Sequence, residues 1–197
     1  MSSHGYTLFE TAIGWCGIAW GTHGIVGVQL PEADAQQTRA RLRRHVPNAR
    51  ETASAPPDVQ HAIESIVALL QGEANDLKDV ALDMAGVPDF DRRVYEVARA
   101  IPPGQTMTYG EIASRLGDVS DSRRVGQALG RNPFAPVVPC HRVVAAGGKL
   151  GGFSASGSIV TKLRLLAIEG APTNGTLPLF DVELAKTEPR RARLAGS

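Results

Sequence analysis

Three short apolar runs open the chain: Tyr6-Thr7-Leu8-Phe9, Gly17-Ile18-Ala19-Trp20 and Ile25-Val26-Gly27-Val28-Gln29-Leu30. Their length and composition predict strands, and Gly21-Thr22-His23-Gly24 supplies a turn between the second and third, so an antiparallel hairpin or meander is expected. Cys16 lies at the edge of this pattern, where a core position is expected; His23, in the turn, is expected to be solvated. Residues 34–45 are polar with four arginines and read as an exposed helix. After a Pro-containing loop, Asp58 is a candidate N-cap for a helix whose apolar positions Val59, Ala62, Ile63, Ile66, Val67 and Leu70 face the sheet. Residues 80–84 read as another strand, and Gly86-Val87-Pro88 marks a domain boundary.

Beyond that boundary the periodicity is helical. Asp89 is a candidate cap for a helix carrying Phe90, Val94, Val97 and Ile101, ended by Pro102-Pro103-Gly104. Thr108-x-x-Glu111 forms a capping box for a short helix over 109–116, with Gly117 as its stop. Ser120 or Asp121 then caps a second helix that carries Arg123, Arg124, Val125, Gly126, Ala128, Leu129 and Arg131. Two short helices across a tight turn have the form of a helix-turn-helix, and Gly126 and Gly130, one turn apart, suggest a close packing partner. Residues 145–152 form a Gly-rich connection, and 159–169 read as a helix with Ile159, Leu163, Leu166 and Ala167 inward and Lys162 and Arg164 outward. The expected fold class is α/β: an N-terminal α/β domain with an antiparallel sheet over 1–87 and a mostly helical domain with a helix-turn-helix over 88–170. A poorly ordered tail is expected over 171–197, apart from Leu177-Pro178-Leu179-Phe180.

Composition narrows the class. At 197 residues the chain suits one sizeable domain or two small ones. Two cysteines without a CxxC pair point away from a disulfide framework or a zinc knuckle and toward a reducing, cytoplasmic setting. Neither a signal peptide nor a membrane span is visible. The net charge of +1 conceals an asymmetry: residues 1–88 hold six Lys or Arg against ten Asp or Glu, residues 89–170 eleven against seven. From Arg123 to Arg164 there are seven basic residues and no acidic one, an anion-binding footprint around the second cysteine.

That cysteine sits in Pro136-Val137-Val138-Pro139-Cys140-His141-Arg142-Val143-Val144. A thiol attacks as its thiolate, which a neighbouring base or positive charge favours, so Cys140 beside His141 and Arg142 is a candidate activated nucleophile. A lone cysteine in a Val-rich strand is equally an inert core residue. Neighbouring side chains on a strand point to opposite faces, so Cys140 and His141 cooperate only if the chain turns there, an irregularity that Pro139 favours.

Several motifs coincide at this point. Thr108-Tyr109-Gly110-Glu111-Ile112-Ala113, Arg123-x-Val125-Gly126, Asn132-Pro133, Pro139-Cys140-His141-Arg142-Val143 and Leu165-Leu166-x-x-Glu169-Gly170 resemble, in order and near-matching spacing, the O6-methylguanine-DNA methyltransferase family. The resemblance is continuous over residues 88–170, and the preceding half resembles the family's variable N-terminal domain, with a ribonuclease H-like fold implied. It implies direct repair: Cys140 takes the alkyl group from guanine O6, with O4-alkylthymine as a further substrate, and each molecule acts once. By the same resemblance His141 is the base, acting through a water, Glu169 orients it, Tyr109 donates a proton or hydrogen bond to the leaving guanine, and Asn132 supports the turn holding Cys140. The nucleotide must be flipped out of the stack, with Arg123 filling its place. Arg124, Gln127, Arg131 and Thr108 are the other implied DNA contacts, and Phe153, Ser154, Val143 and Met107 the implied substrate pocket. No cofactor is expected. No zinc set is visible in the N-terminal half, so the metal that some relatives carry there is not expected here. The expected partner is double-stranded DNA containing O6-alkylguanine, bound by a monomer.

Three features depart from the family pattern. Arg124 stands where relatives more often carry a small residue and bears on whether Arg123 alone fills the stack. Phe153 stands where many have Tyr, and the loop over 154–158 is about two residues longer than usual, and these two bear on tolerance for larger adducts. Competing readings are a relative that recognises alkylguanine without repairing it, a helix-turn-helix regulator, and a cysteine hydrolase. The first lacks the cysteine, the second has no use for Pro-Cys-His-Arg-Val, and the third turns over repeatedly.

Overall fold

A computed structural model describes residues 5–117, 119–150 and 159–172. The chain folds as mixed α/β. Strands β1 (Gly5–Thr11), β2 (Gly14–Gly21) and β3 (Gly24–Gln29) form the expected antiparallel meander. A two-residue strand that the sequence pattern does not announce, β4 (Arg50–Glu51), pairs parallel to β1 and gives the order β3-β2-β1-β4. Helix α1 (Ala35–His45), capped by Asp34 through a 2.7 Å bond from the Gln37 N–H, covers one face of the sheet around Tyr6, Ala19 and Leu42. Helix α2 (Pro57–Leu70) covers the other. Asp58 does not cap it: Pro56 holds the N-cap position and Pro57 the first helical one, where a missing N–H costs nothing. The same correction applies to α3 (Asp89–Arg99), whose N-cap position is Pro88, with Asp89 inside the first turn.

The expected strand over 80–84 reduces to a single parallel bridge between Leu82 and Ile25. It lies along β3 all the same, through Ile25 N–H to Ala81 O (3.0 Å) and Asp83 N–H to Ile25 O (2.8 Å). Gly24, at φ 130°, makes this approach possible, since a Cβ there would stand 2.8 Å from Ala81 O. Further along β3, Val28 N–H donates to Pro133 O (2.8 Å), so both the linker and a turn of the C-terminal half cover the sheet edge. One continuous apolar cluster runs from Phe9, Trp20 and Leu30 through Ile66 and Leu69 to Val94, Ile112, Val138 and Leu165. The C-terminal half adds β5 (Met107–Thr108), α4 (Tyr109–Arg115), α5 (Ser122–Gly130), β6 (Val143–Val144) and α6 (Ile159–Ile168), with β5 and β6 paired in parallel. The capping box is present on α4, and Gly117 follows its end at φ 96°. Asp121 occupies the N-cap position of α5 without a side-chain cap bond, its carboxylate lying 3.3 Å from Arg124 instead.

The inward face of α6 differs from the expected one. Lys162, Leu165 and Leu166 are buried, whereas Ile159 and Ala167 are exposed and Leu163 is half-buried. The polar label misled: Lys162 lies three and four residues before Leu165 and Leu166, on their face of the helix.

Candidate active site

The apolar run before Cys140 is buried at Phe134, Ala135, Val137 and Val138, so the chain enters the core and must emerge with its polar groups satisfied. Asn132 does this from one side. Its buried amide donates to Val138 O (2.8 Å) while its Oδ1 accepts from Phe134 N–H (2.9 Å), closing the loop that ends at the cysteine. The chain then makes a 3-10 turn over Cys140–Arg142, closed by Arg142 N–H to Pro139 O at 2.9 Å. The required irregularity therefore exists, and β6 begins only afterwards. Cys140 is 4 % exposed and both cysteines are free thiols.

His141 is wholly buried, with Nε2 2.8 Å from Glu169 Oε1. Arg142 is buried beside it and binds the same carboxylate twice, Nε to Oε2 at 2.9 Å and Nη2 to Oε1 at 2.8 Å, with Nη1 donating to Ile101 O. Although burial works against ionisation, the His141 and Arg142 contacts hold the Glu169 carboxyl down at about 2. Burial lowers the His141 pKa, with Arg142 and Lys162 pushing the same way and Glu169 opposing. At neutral pH the pair is thus a neutral imidazole against a carboxylate, a hydrogen bond rather than an ion pair. An ionised carboxylate only accepts, so the ring proton sits on Nε2 and Nδ1 carries the free lone pair. Nδ1 is buried without a partner among the described residues, a basic atom left available for a proton.

The resting thiol is not the lowered one that its neighbours suggested. Burial raises the Cys140 pKa; Asn132, the Lys162 charge and backbone N–H groups pull it down by less. Arg142, expected to help as a neighbouring cation, is turned toward Glu169. The cation facing the site is Lys162, whose Nζ donates to Val143 O (2.5 Å) and Leu150 O (2.7 Å) and lies 6.0 Å from the centre of the Tyr109 ring. Burial lowers its pKa to about 8, with the nearby cysteine opposing. Tyr109, the first residue of α4, is raised by burial and then by Cys140.

A cleft of about 760 Å³ opens between α4, α5 and residues 145–146, and Thr108, Tyr109, Arg123, Gln127 and Arg131 all line it. Sequence-distant candidates are thereby brought to one surface. Gly126 makes room on the α5 wall: a Cβ there would sit 3.7 Å from the Tyr109 ring, so the expected close partner is an aromatic side chain rather than a backbone. The candidates differ in freedom. Arg123 has no hydrogen-bond or ion-pair partner among the described residues, whereas Arg124 stacks 3.8 Å over the Phe90 ring and pairs with Asp121. The Thr108 hydroxyl is engaged by Glu111 in the cap, and Arg131 is held by Asp91. Val143 is buried in β6 opposite half-buried Met107 in β5, so these two packing positions are adjacent. Phe153, Ser154 and the loop over 154–158 lie outside the described residues, as does the tail beyond Pro172.

Lys162 and Asp91 are the site residues that sequence reasoning missed. Helical phase relative to Leu165 and Leu166 was the available signal for Lys162. For Asp91, forty positions from its partner, there was none.

Known proteins resemble this chain over most of its length. A family model described as the 6-O-methylguanine DNA methyltransferase DNA binding domain matches residues 89–171. The methylated-DNA–protein-cysteine methyltransferase of Methanothermobacter thermautotrophicus is 35 % identical over 159 residues, 81 % of either chain. The protein of the same name from Mycolicibacterium paratuberculosis is 44 % identical over 120 residues, 61 % of this chain and 70 % of that one. The crystal structure of Mycobacterium tuberculosis OGT in complex with DNA superposes at a TM-score of 0.68 and 33 % identity, covering 85 % of this chain and 94 % of that one. A match over 159 residues is longer than either half, and the span of the family model includes the Pro139-Cys140-His141-Arg142-Val143 segment, and so the chain belongs to the O6-methylguanine-DNA methyltransferase family, the methylated-DNA–protein-cysteine methyltransferases.

Proposed function

We propose that this protein repairs alkylated DNA directly, by moving the alkyl group of O6-alkylguanine, and of O4-alkylthymine as a second substrate, onto Cys140. The observation that carries this reading is a buried thiol beside a histidine whose Nδ1 has no partner among the described residues and whose Nε2 is fixed on Glu169. Burial keeps Cys140 protonated at rest, so its proton must leave when substrate is present, and Nδ1 of His141 takes it through a bridging water. The resulting imidazolium is stabilised by the Glu169 carboxylate, while Asn132 holds the turn that aims Sγ. In the transfer the sulfur–carbon bond forms as the carbon–O6 bond breaks, and the electron pair passes to the guanine. Tyr109 supplies the hydrogen bond or proton that the leaving base requires, and Lys162, close to both Tyr109 and the thiol, favours negative charge there. The thioether product has no easy route back to thiolate, so each molecule acts once.

Duplex DNA lies along the cleft, with α4 and α5 acting as a helix-turn-helix, and the lesion is flipped toward Cys140. Arg123, unpartnered among the described residues and lining the cleft, fills the gap in the stack, while Arg124, drawn to Phe90 and Asp121, supports α5. Gln127, Arg131 and Thr108 line the DNA path; Val143, Met107, Phe153 and Ser154 shape the alkyl pocket. The labour divides between a scaffold over 1–87, whose order β3-β2-β1-β4 supports a ribonuclease H-like reading, and a DNA-binding and acceptor unit over 88–170. The protein acts as a monomer in the cytoplasm, where thiols stay reduced. Among the described residues no helix is long and apolar enough to cross a membrane.

The test is intact and peptide mass spectrometry after mixing the protein with duplex DNA containing O6-methylguanine. One added methyl on the Cys140 peptide, stoichiometric and absent from Cys140→Ser, is the expected result. An unmodified protein that still binds the lesion would make this a recognition module and remove the role given to His141.

A further inference from the structure

Arg131 follows the last residue of α5 and lines the cleft. Its Nε lies 2.9 Å from Asp91 Oδ2 and its Nη2 2.9 Å from Asp91 Oδ1. The two halves of the pair differ in setting: the Asp91 side chain is 4 % exposed, that of Arg131 57 %. Asp91 is in the first turn of α3, where the helix dipole favours an anion, and cannot follow Arg131 outward. One turn along α3, Tyr95 donates to Ala128 O at 3.0 Å, so α3 grips the end of α5 at two points.

A guanidinium has five N–H groups in one plane. Asp91 takes the Nε–Nη2 edge, leaving one hydrogen of Nη1 and one of Nη2 side by side on the Nη1–Nη2 edge, with the second Nη1 hydrogen pointing back along the side chain. That edge matches two oxygens of one phosphate, the bidentate geometry that a freely rotating Arg reaches only by ordering several torsions.

We propose, on the reading that the cleft binds DNA, that Asp91 is a positioning residue: it fixes Arg131 so that its outer edge receives one backbone phosphate at the rim of the cleft. Arg124, the other partnered arginine of this helix, has its ring-stacked face turned to Phe90, and Arg123 has no such clamp among the described residues. The arginines of α5 thus divide into a free one for the stack, one that braces the helix, and a clamped one for the backbone.

Asp91→Asn tests this by the sign of its effect. Simple electrostatics says that removing a negative charge beside a polyanion site tightens binding. Positioning says that it weakens binding, because Arg131 keeps its charge and loses its orientation. The measurement is affinity of the full chain for an undamaged duplex across a salt series, with wild type, Asp91→Asn, Arg131→Gln and the double variant. Expected are an Arg131→Gln salt slope lower by about 0.9, one phosphate contact, and an Asp91→Asn affinity about fivefold weaker at low salt. In the Arg131→Gln background Asp91→Asn should weaken binding no further. Asp91→Asn binding as tightly as wild type or tighter overturns the proposal, as does equal weakening in both backgrounds, which would place the loss in general structure. Wild type failing to bind any duplex would instead refute the DNA-binding reading itself.

Discussion

Glu169 accepts from His141 and twice from Arg142, and these contacts couple the site to pH. Its carboxyl falls from 4.5 to about 2 on folding, so its stabilisation is complete above about 4.5 and is lost as pH falls toward about 2. His141, ordinarily at 6.5, is lowered by burial, so the unfolded chain takes up that proton first and stability declines as pH drops below 6.5. Both slopes have the same sign. Urea unfolding between pH 7 and 3 should show monotonic loss of stability toward acid, with a shallower limb below 4.5 in Glu169→Gln. The variant should also lose about 3 kcal/mol at pH 7, because Arg142 is left buried without its carboxylate. An unchanged acid limb in Glu169→Gln would show that the coupling lies elsewhere. The pairing itself was half legible in the sequence: Cys140, His141 and Glu169 came from their motifs, while Arg142 looked like an aid to the thiol because chain adjacency does not reveal which way a buried side chain turns.

Among the elements, α5 shows how local sequence and tertiary neighbours divide the work. Its boundaries and basic face follow from residues 119–131, but the limit on side-chain size at 126 is set by α4, where the Tyr109 ring leaves ordinary contact distance for a Cβ. Gly126→Ala should therefore be tolerated and raise helix stability by up to about 1 kcal/mol. Gly126→Leu should displace the Tyr109 ring and slow methyl transfer while the fold persists. Thermal melting paired with single-turnover transfer checks both, and a Leu variant with normal transfer would sever Tyr109 from the reaction. In α6 the same logic corrected the sequence reading, since Lys162 has its own carbonyl acceptors at Val143 and Leu150 inside the core. A rule that assigns lysine to solvent cannot anticipate acceptors contributed by distant backbone.

At the scale of the whole molecule, the two halves share one apolar cluster and are joined through a linker held at several points. Arg99, on α3, brings its Nη2 to the carbonyl oxygens of Leu77, Lys78 and Val80 at 3.1, 2.9 and 3.0 Å. Burial lowers its pKa, but a guanidinium is not deprotonated in proteins, so these are charge-assisted bonds. Arg99→Met, which keeps an unbranched stem, should cost about 2 kcal/mol of unfolding free energy and speed proteolysis within residues 71–88. A variant that melts and is cleaved like the parent would mean that the linker is held by its bridge to β3 alone.

The amino-acid sequence by itself determined the meander, the capping box, the turn after α4 and the break in the strand after Pro139, because each rests on interactions among residues close in the chain. Tertiary structure decided which cation faces the thiol, which partners hold Arg124 and Arg131, and where the short strand β4 pairs. It also decided that burial, rather than neighbouring charge, governs the resting state of Cys140. These outcomes depend on desolvation and on partners tens of residues away, and neither quantity is written in a local pattern of polar and apolar positions.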